Sequence, residues 1–197
     1  MNDAVIDYKI RSFSKTADIV QTILIYLLCL SVPTFLGGLL VSIFGNGSVI
    51  ALNSQLIVGS IVNFILIVSA MNLSGNLKIL GVVTMPSIST ILSGYVFQSS
   101  SPFMIFMVPA IWLGNFMLIY IYKYMLKREI NYFLTGISGV LIKVLIIYSY
   151  FSILCILDIF PVKIVNIFSS AMGMMQVITG FIGVLLAFPI NKLEKDK

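Results

Sequence analysis

The chain contains two long stretches without a charged residue, one between Asp18 and Lys78 and one between Lys78 and Lys123. A helix needs about 20 predominantly apolar residues to cross a hydrocarbon core of roughly 30 Å. Each stretch therefore has room for two crossings. Neither could form a surface that faces water, because such surfaces require interspersed charges. In agreement, 59% of the residues are hydrophobic, compared with roughly 45–50% in globular proteins.

Clusters of glycine, asparagine, serine and proline divide the chain into six apolar segments. The predicted spans are 18–44, 50–70, 78–97, 103–126, 131–157 and 163–190. These segments are too long and too continuously apolar for the alternating strands of a membrane barrel. The sequence thus predicts an all-α integral membrane protein, in which residues 1–197 form one domain. This domain is a bundle of six transmembrane helices joined by short loops.

Basic residues collect on one side of this bundle. If the N-terminus is cytoplasmic, Lys163 lies outside, Lys143 lies within a span, and the rest of the 12 Lys and Arg residues are cytoplasmic. The cytoplasmic set is Lys9, Arg11, Lys15, Lys78, Lys123, Lys127, Arg128, Lys192, Lys195 and Lys197. By the positive-inside rule, both termini are predicted to be cytoplasmic in a multi-pass protein of the cell membrane. The net charge of +5 therefore reflects topology, and nucleic-acid binding is not predicted.

Several common chemistries are excluded by missing residues. The chain has no histidine, so it cannot form a histidine metal site or a Ser-His triad. It also lacks a phosphate-binding loop and a dinucleotide fingerprint. Within the spans no chain of carboxylates could relay protons. The sequence therefore predicts no enzyme activity, no metal, no cofactor, and no ion-coupled pump that acts alone.

Polar residues of different spans lie at similar depth. Counted from the presumed outer end of each span, they lie about 15–20 Å into the membrane at the helical rise. They are Asn63, Pro86, Asn115, Lys143 and Gln176. A membrane-centre amide or ammonium is costly unless it is satisfied, and an apolar bundle of this size has no need of a shared polar layer.

Lys143 is the most informative of these residues. A lysine at the centre of a span costs about 2.5–3.5 kcal/mol on the insertion scale. No carboxylate lies at its depth. Its partner is therefore expected to be an amide of Asn115 or Gln176, a backbone carbonyl, water, or an anion from outside the chain. A structural, hydrogen-bonded lysine and a ligand-facing cation are both compatible with the sequence.

Two further features allow two interpretations each. Trp112, the only tryptophan, is either a ring that stacks on a ligand or a packing residue. The prolines Pro33, Pro86 and Pro109 mark either broken helices that line a cavity or kinked packing. The spans are expected to meet through faces of small residues. On the sixth span this face consists of Gly173, Gln176, Gly180, Gly183 and Ala187.

Three segments carry a family resemblance. They are Met107 to Asn115 (MVPAIWLGN), Gly139 to Lys143 (GVLIK) and Met172 to Gly183 (MGMMQVITGFIG). In these segments the chain resembles the substrate-binding S components of energy-coupling-factor (ECF) transporters, in particular an uncharacterised bacterial group with six spans. The resemblance covers about the last 95 residues and implies a capture subunit for a vitamin-like substrate. It also implies a membrane T component and two ATPase subunits as partners.

One departure from that family concerns the first span. Many S components carry an Ala-x-x-x-Ala pattern there for docking to the T component, whereas residues 17–44 contain none. Gly37 and Gly38 are the residues of this span that could permit close approach instead.

The leading hypothesis is a substrate-capture subunit whose pocket opens outward between the third to sixth spans. In it Lys143 neutralises an anionic group, Asn115 and Gln176 form hydrogen bonds to the ligand, and Trp112 packs against it; Asn63 completes the predicted site. The alternatives are a structural or assembly subunit without a ligand, in which the polar layer only fixes helix register, and an autonomous channel or facilitator.

Overall fold

The computed structural model describes residues 15–45 and 53–195, and the regular elements within them are all helices. The elements are α1 (Lys15–Ser31), a π-helical turn (Val32–Leu36), α2 (Gly37–Phe44), α3 (Ser54–Asn72), α4 (Asn76–Ser93), a 3-10 helix (Gln98–Met107), α5 (Val108–Lys127), α6 (Tyr132–Ile156), α7 (Val162–Met172) and α8 (Met174–Lys195).

Six helical segments in the described ranges are long and apolar enough to cross a membrane, which confirms the predicted number of spans and indicates a multi-pass membrane protein. The first to sixth spans are Asp18–Phe44, Ser54–Asn72, Asn76–Ser93, Gln98–Lys127, Tyr132–Ile156 and Val162–Leu193. The predicted start of the second span, residue 50, lies outside the described residues.

The ends of the third and fourth spans differ from the prediction. The third span stops at Ser93 instead of residue 97, because Gly94 adopts φ 70° and donates its N–H to the Thr90 carbonyl. A glycine in this left-handed conformation is a common helix terminator. The fourth span begins at Gln98 instead of residue 103, because its first ten residues form a 3-10 helix.

The sixth span, predicted over 163–190 and observed over Val162–Leu193, is interrupted at Gly173, a break that the prediction did not include. Gly173 has φ −99° and ψ −103°, outside the helical region, and separates α7 from α8. The residues on both sides of Gly173 are mostly apolar. The hydropathy of the sequence therefore predicts the span but not the interruption of its helix. The small-residue face predicted to begin at Gly173 is carried by α8 alone.

Glycines permit the closest helix contacts in the bundle. Helix α3 packs along α8, and α5 packs along α6. A Cβ placed on Gly183 would lie 2.7 Å from Cβ of Asn63, and one on Gly180 would lie 2.7 Å from Cγ1 of Val140. Both separations are too short for real atoms, so the absence of a side chain sets these interhelical distances.

The glycines of the first span are already used within the chain. A Cβ on Gly37 would lie 2.8 Å from Cβ of Tyr95, and one on Gly38 would lie 3.2 Å from Cε2 of the same ring. Tyr95 therefore already packs against both glycines, and their suggested role in the close approach of a T component stays a prediction.

Candidate functional site

The ammonium of Lys143 is buried in the centre of the bundle. The side chain is 3% exposed, and its Nζ donates a hydrogen bond of 2.6 Å to Oδ1 of Asn63 on α3. The partner is thus a neutral amide, as the sequence suggested, but it is the amide of Asn63 instead of Asn115 or Gln176. Among the described residues the one salt bridge joins Lys78 to Asp18, so Lys143 has no carboxylate partner there.

Asn63 is held in place by its other hydrogen bonds. Its Nδ2 donates to the Gly59 carbonyl at 2.9 Å and to Oγ1 of Thr179 at 3.3 Å. Thr179 is 1% exposed and donates in turn to the Met175 carbonyl at 2.7 Å. With Nδ2 committed to these two oxygens, Oδ1 is left to face Lys143. The lysine, the amide and the hydroxyl therefore connect α6, α3 and α8.

Asn115 is buried but incompletely bonded. It is 2% exposed, and its Nδ2 donates to the Val83 carbonyl at 3.4 Å, which is a long hydrogen bond. Its Oδ1 has no hydrogen-bond partner in the described part of the chain. A buried acceptor of this kind costs about 1–3 kcal/mol unless another molecule supplies a donor.

A cavity of about 80 Å³ lies against these side chains. Lys143, Asn63, Asn115 and Gln176 all line it, so the structure brings together four of the five predicted site residues. The remaining lining residues are Gln55, Val58, Gly59, Val62, Pro86, Ser87, Thr90, Val96, Phe97, Met104 and Ile111. The cavity thus involves the second to sixth spans and the connection between the third and fourth, whereas the prediction placed it between the third and sixth.

Trp112 is the predicted site residue that does not line the cavity. Its Nε1 donates to Oγ of Ser87 at 2.7 Å, and Ser87 donates to the Thr84 carbonyl at 2.8 Å. Ser87 is a lining residue. Trp112 therefore lies behind the wall and orients Ser87, which favours the packing interpretation over ligand stacking.

The broken helix lies close to the cavity. Gln176 follows the break at Gly173 by three residues and donates its backbone N–H to the Gly173 carbonyl at 3.0 Å. On the other side of the break, the Ala171 carbonyl accepts a hydrogen bond of 2.8 Å from Nε2 of Gln55. Interrupted membrane helices are tolerated where the freed backbone groups are satisfied or line a cavity.

Gln55, which lines the cavity, and Thr179, which bonds Asn63, were not among the predicted site residues. Gln55, Gly59 and Asn63 recur at intervals of four on α3, which places them on one helix face. This spacing places Gln55 on the same face as the predicted site residue Asn63, and it could have identified Gln55 from the sequence. Thr179 gave no comparable signal, because a threonine in an apolar helix usually bonds its own backbone.

Pro86 lies inside α4, which continues through it. Proline has no N–H for the carbonyl four residues earlier, which belongs to Val82. The thiol of Cys29 lies 3.9 Å from that carbonyl oxygen. Pro86 thus lines the cavity without breaking the helix.

No family model matches the chain, and neither curated proteins nor solved structures gave a match.

Proposed function

We propose that the chain is the substrate-capture subunit of an ECF-type uptake transporter in the cell membrane, and that the central cavity binds a small, vitamin-like anion. The observation that carries the proposal is the environment of Lys143. Its ammonium is 3% exposed, lines a cavity, and has a neutral amide as its hydrogen-bond partner.

Electrostatics favours an anion at this position. Removing an ammonium from water carries a penalty of several kcal/mol. A single neutral amide returns only a part of it, since polar contacts in membrane bundles are worth about 0.6 kcal/mol on average. An ammonium can donate three hydrogen bonds, and an anionic oxygen in the cavity would supply both a partner and the missing charge. A carboxylate or a phosphate-type group has the required chemistry.

Asn115 adds a second requirement on the ligand. Its unpaired Oδ1 needs an N–H or O–H donor. A molecule that carries an anionic group and a donor would satisfy Lys143 and Asn115 together. Gln176, on α8, offers both a donor and an acceptor at the same cavity.

The segments that resemble S components converge on this cavity. The segment 107–115 contributes Asn115, the segment 139–143 contributes Lys143, and the segment 172–183 contributes Gln176. Their meeting at one cavity is what a substrate-binding role for these segments requires.

The proposal includes an orientation of the chain in the membrane. With cytoplasmic termini, the connection between the third and fourth spans is extracellular. Val96 and Phe97 of this connection line the cavity, together with Met104 in the first turns of the fourth span, so the ligand would enter from outside. The proposed partners are a T component, two ATPase subunits and the lipid bilayer, with ATP hydrolysis supplied by the ATPases.

The size of the cavity requires a movement on binding. A volume of about 80 Å³ accommodates a handful of water molecules, whereas sites for organic ligands usually measure about 300–1,000 Å³. A vitamin-sized ligand therefore needs the side chains of Phe97 and Met104 to move outward. Phe97 belongs to the connection between the third and fourth spans, and Met104 to the 3-10 helix that follows it.

The second candidate is a structural or assembly subunit without a ligand. The hydrogen bond between Lys143 and Asn63 favours it, because that bond fixes the register of α6 and α3 by itself. The unpaired Oδ1 of Asn115 is the feature that this alternative leaves unexplained.

Affinity purification of the full chain from native membranes under mild detergent distinguishes the candidates. The capture proposal expects two ATPases and a T-type membrane protein in stoichiometric amounts, together with a small anionic molecule in the denatured eluate. Recovery of neither the ATPases nor a small molecule would favour the structural subunit. Flux of that molecule into liposomes that contain this chain alone would instead favour a facilitator.

A further inference from the structure

A second, larger cavity of about 260 Å³ lies between the third and fourth spans, at the end that carries the connection to α6. One wall is the start of α4, with Gly75, Asn76 and Ile79. The other wall is a face of α5. Its residues are Phe116, Ile119, Tyr120, Lys123, Tyr124 and Lys127. Their spacing of three and four places all six on one side of the helix.

This second cavity is a groove between α4 and α5, and its lining changes from charged to apolar along its length. Lys123 and Lys127 lie one helical turn apart near the end of the span, and Asn76 lies across from them on α4. Measured from Lys123, Ile119 lies one turn deeper and Phe116 about two turns deeper, or roughly 6 Å and 10 Å at the helical rise. The groove is therefore cationic at its mouth and apolar toward the membrane interior.

The charges at the mouth are available to a ligand. Lys123 donates one hydrogen bond to the Leu73 carbonyl at the end of α3, which leaves two N–H groups. Lys127 is exposed and takes part in no salt bridge among residues 15–45 and 53–195. Arg128 adds a third cation, 4.3 Å above the Tyr124 ring. Nearby acidic groups are Asp18, which is paired with Lys78, and Glu129.

An aromatic stack forms the lipid-exposed side of the groove. The rings of Phe116 and Tyr120 are 6.3 Å apart, and those of Tyr120 and Tyr124 are also 6.3 Å apart, both pairs nearly parallel. Tyr120 and Tyr124 are 53% and 45% exposed. Amphipathic rings of this kind lie at the headgroup level of a bilayer.

We propose that this groove binds an anionic phospholipid, with the phosphate at Lys123 and Lys127 and the upper part of one acyl chain along the exposed rings of Phe116 and Tyr120, above the buried side chains of Ile79 and Ile119. The combination of clustered cations at the membrane surface with an apolar floor fits a headgroup joined to a tail. A free phosphate ion would use the lysines but leave the apolar floor without a function. The lipid site is separate from the central cavity and does not depend on the proposed transport function.

Native mass spectrometry of the purified full chain tests this proposal, with phosphatidylglycerol and phosphatidylcholine of identical acyl chains offered together. The wild type is expected to retain phosphatidylglycerol preferentially. Lys127→Gln should weaken that binding by about fivefold, the effect of one lysine near an anionic lipid. Lys192→Gln, which changes an exposed lysine predicted to lie on the same side of the membrane, should leave it unchanged.

A second variant and a competition arm separate the possible sources of phosphate. Lys123→Gln keeps a donor for the Leu73 carbonyl, and it should weaken phosphatidylglycerol binding without unfolding the chain. Deacylated glycerophosphoglycerol and inorganic phosphate in large excess should not displace the lipid. Equal retention of the two lipids, equal effects of Lys127→Gln and Lys192→Gln, or full displacement by inorganic phosphate would each overturn the proposal.

Discussion

Lys143 on α6 donates a hydrogen bond of 2.6 Å to Asn63 on α3, 80 positions earlier in the chain. Both side chains are more than nine-tenths buried, so the bond fixes how these two spans are rotated toward each other. It provides no counter-charge to the ammonium. A substitution that supplies that charge within the protein should therefore compete with an anionic ligand.

Asn63→Asp makes this competition directly testable. The new carboxylate would face Lys143 and neutralise it, but it would lose the two hydrogen bonds that Nδ2 of Asn63 donates. The fold should therefore persist at reduced stability, while retention of an anionic ligand falls at least tenfold. The measurement is the amount of small molecule released from the purified protein, with thermal unfolding in detergent as the folding check. Asn72→Asp, at the end of the same helix, is the matched control and should retain the ligand. Full retention by Asn63→Asp would contradict an anion at Lys143.

Asn115→Leu separates the binding role of Asn115 from its structural role. The substitution removes a buried acceptor that has no partner in the described part of the chain, so the free energy of unfolding should stay constant or rise by about 1 kcal/mol. Ligand retention should nevertheless fall. Loss of stability with unchanged retention would show that Asn115 acts only in folding.

Gly183→Ala tests the contact between α8 and α3. The added methyl group would meet Cβ of Asn63 at 2.7 Å and the backbone nitrogen of Phe64 at 2.9 Å. Backbone atoms cannot move aside cheaply, so the substitution should reduce stability by about 1–3 kcal/mol. Gly38→Ala meets only the Tyr95 ring, at 3.2 Å, and should cost clearly less. Equal thermal midpoints for the two variants would argue against this helix packing.

Much of the architecture could be predicted from the sequence, because hydropathy indicates the length of each membrane span and the depth of each residue within it. The six spans and the common height of Asn63, Asn115, Lys143 and Gln176 were accessible in this way. Depth arithmetic fixes the height of a residue but leaves the rotation of its helix open. For that reason the expected partners of Lys143 were the amides of Asn115 or Gln176, a backbone carbonyl, water or an external anion, whereas the structure places the amide of Asn63 there.

The break at Gly173 and the packing of Tyr95 against Gly37 could not be predicted from the sequence, for a different reason. An apolar run looks the same whether its helix is continuous or interrupted, and a glycine in a membrane helix suits an internal neighbour as well as an external one. Tyr95, which fills the space beside Gly37, lies in a connection. Tertiary packing decides such contacts, and no periodicity within one span reports them.

Trp112→Phe tests the placement of the tryptophan behind the cavity wall. The substitution removes the donor to Ser87 and should lower stability by about 1 kcal/mol. Its effect on ligand retention should be much smaller than that of Asn115→Leu, because the ring does not line the cavity. A loss of retention as large as that of Asn115→Leu would instead indicate direct stacking on the ligand.

The central claim is that the buried ammonium of Lys143 holds an anion, and the small-molecule content of Lys143→Met tests it most directly. Methionine has similar length and removes the buried charge, while Oδ1 of Asn63 loses its donor at a cost of about 1–3 kcal/mol. Lys163→Met changes an exposed lysine and serves as the control. After purification of folded protein, mass spectrometry should detect an anionic compound with the wild type and Lys163→Met, and none with Lys143→Met. Equal amounts of that compound in all three would contradict the account.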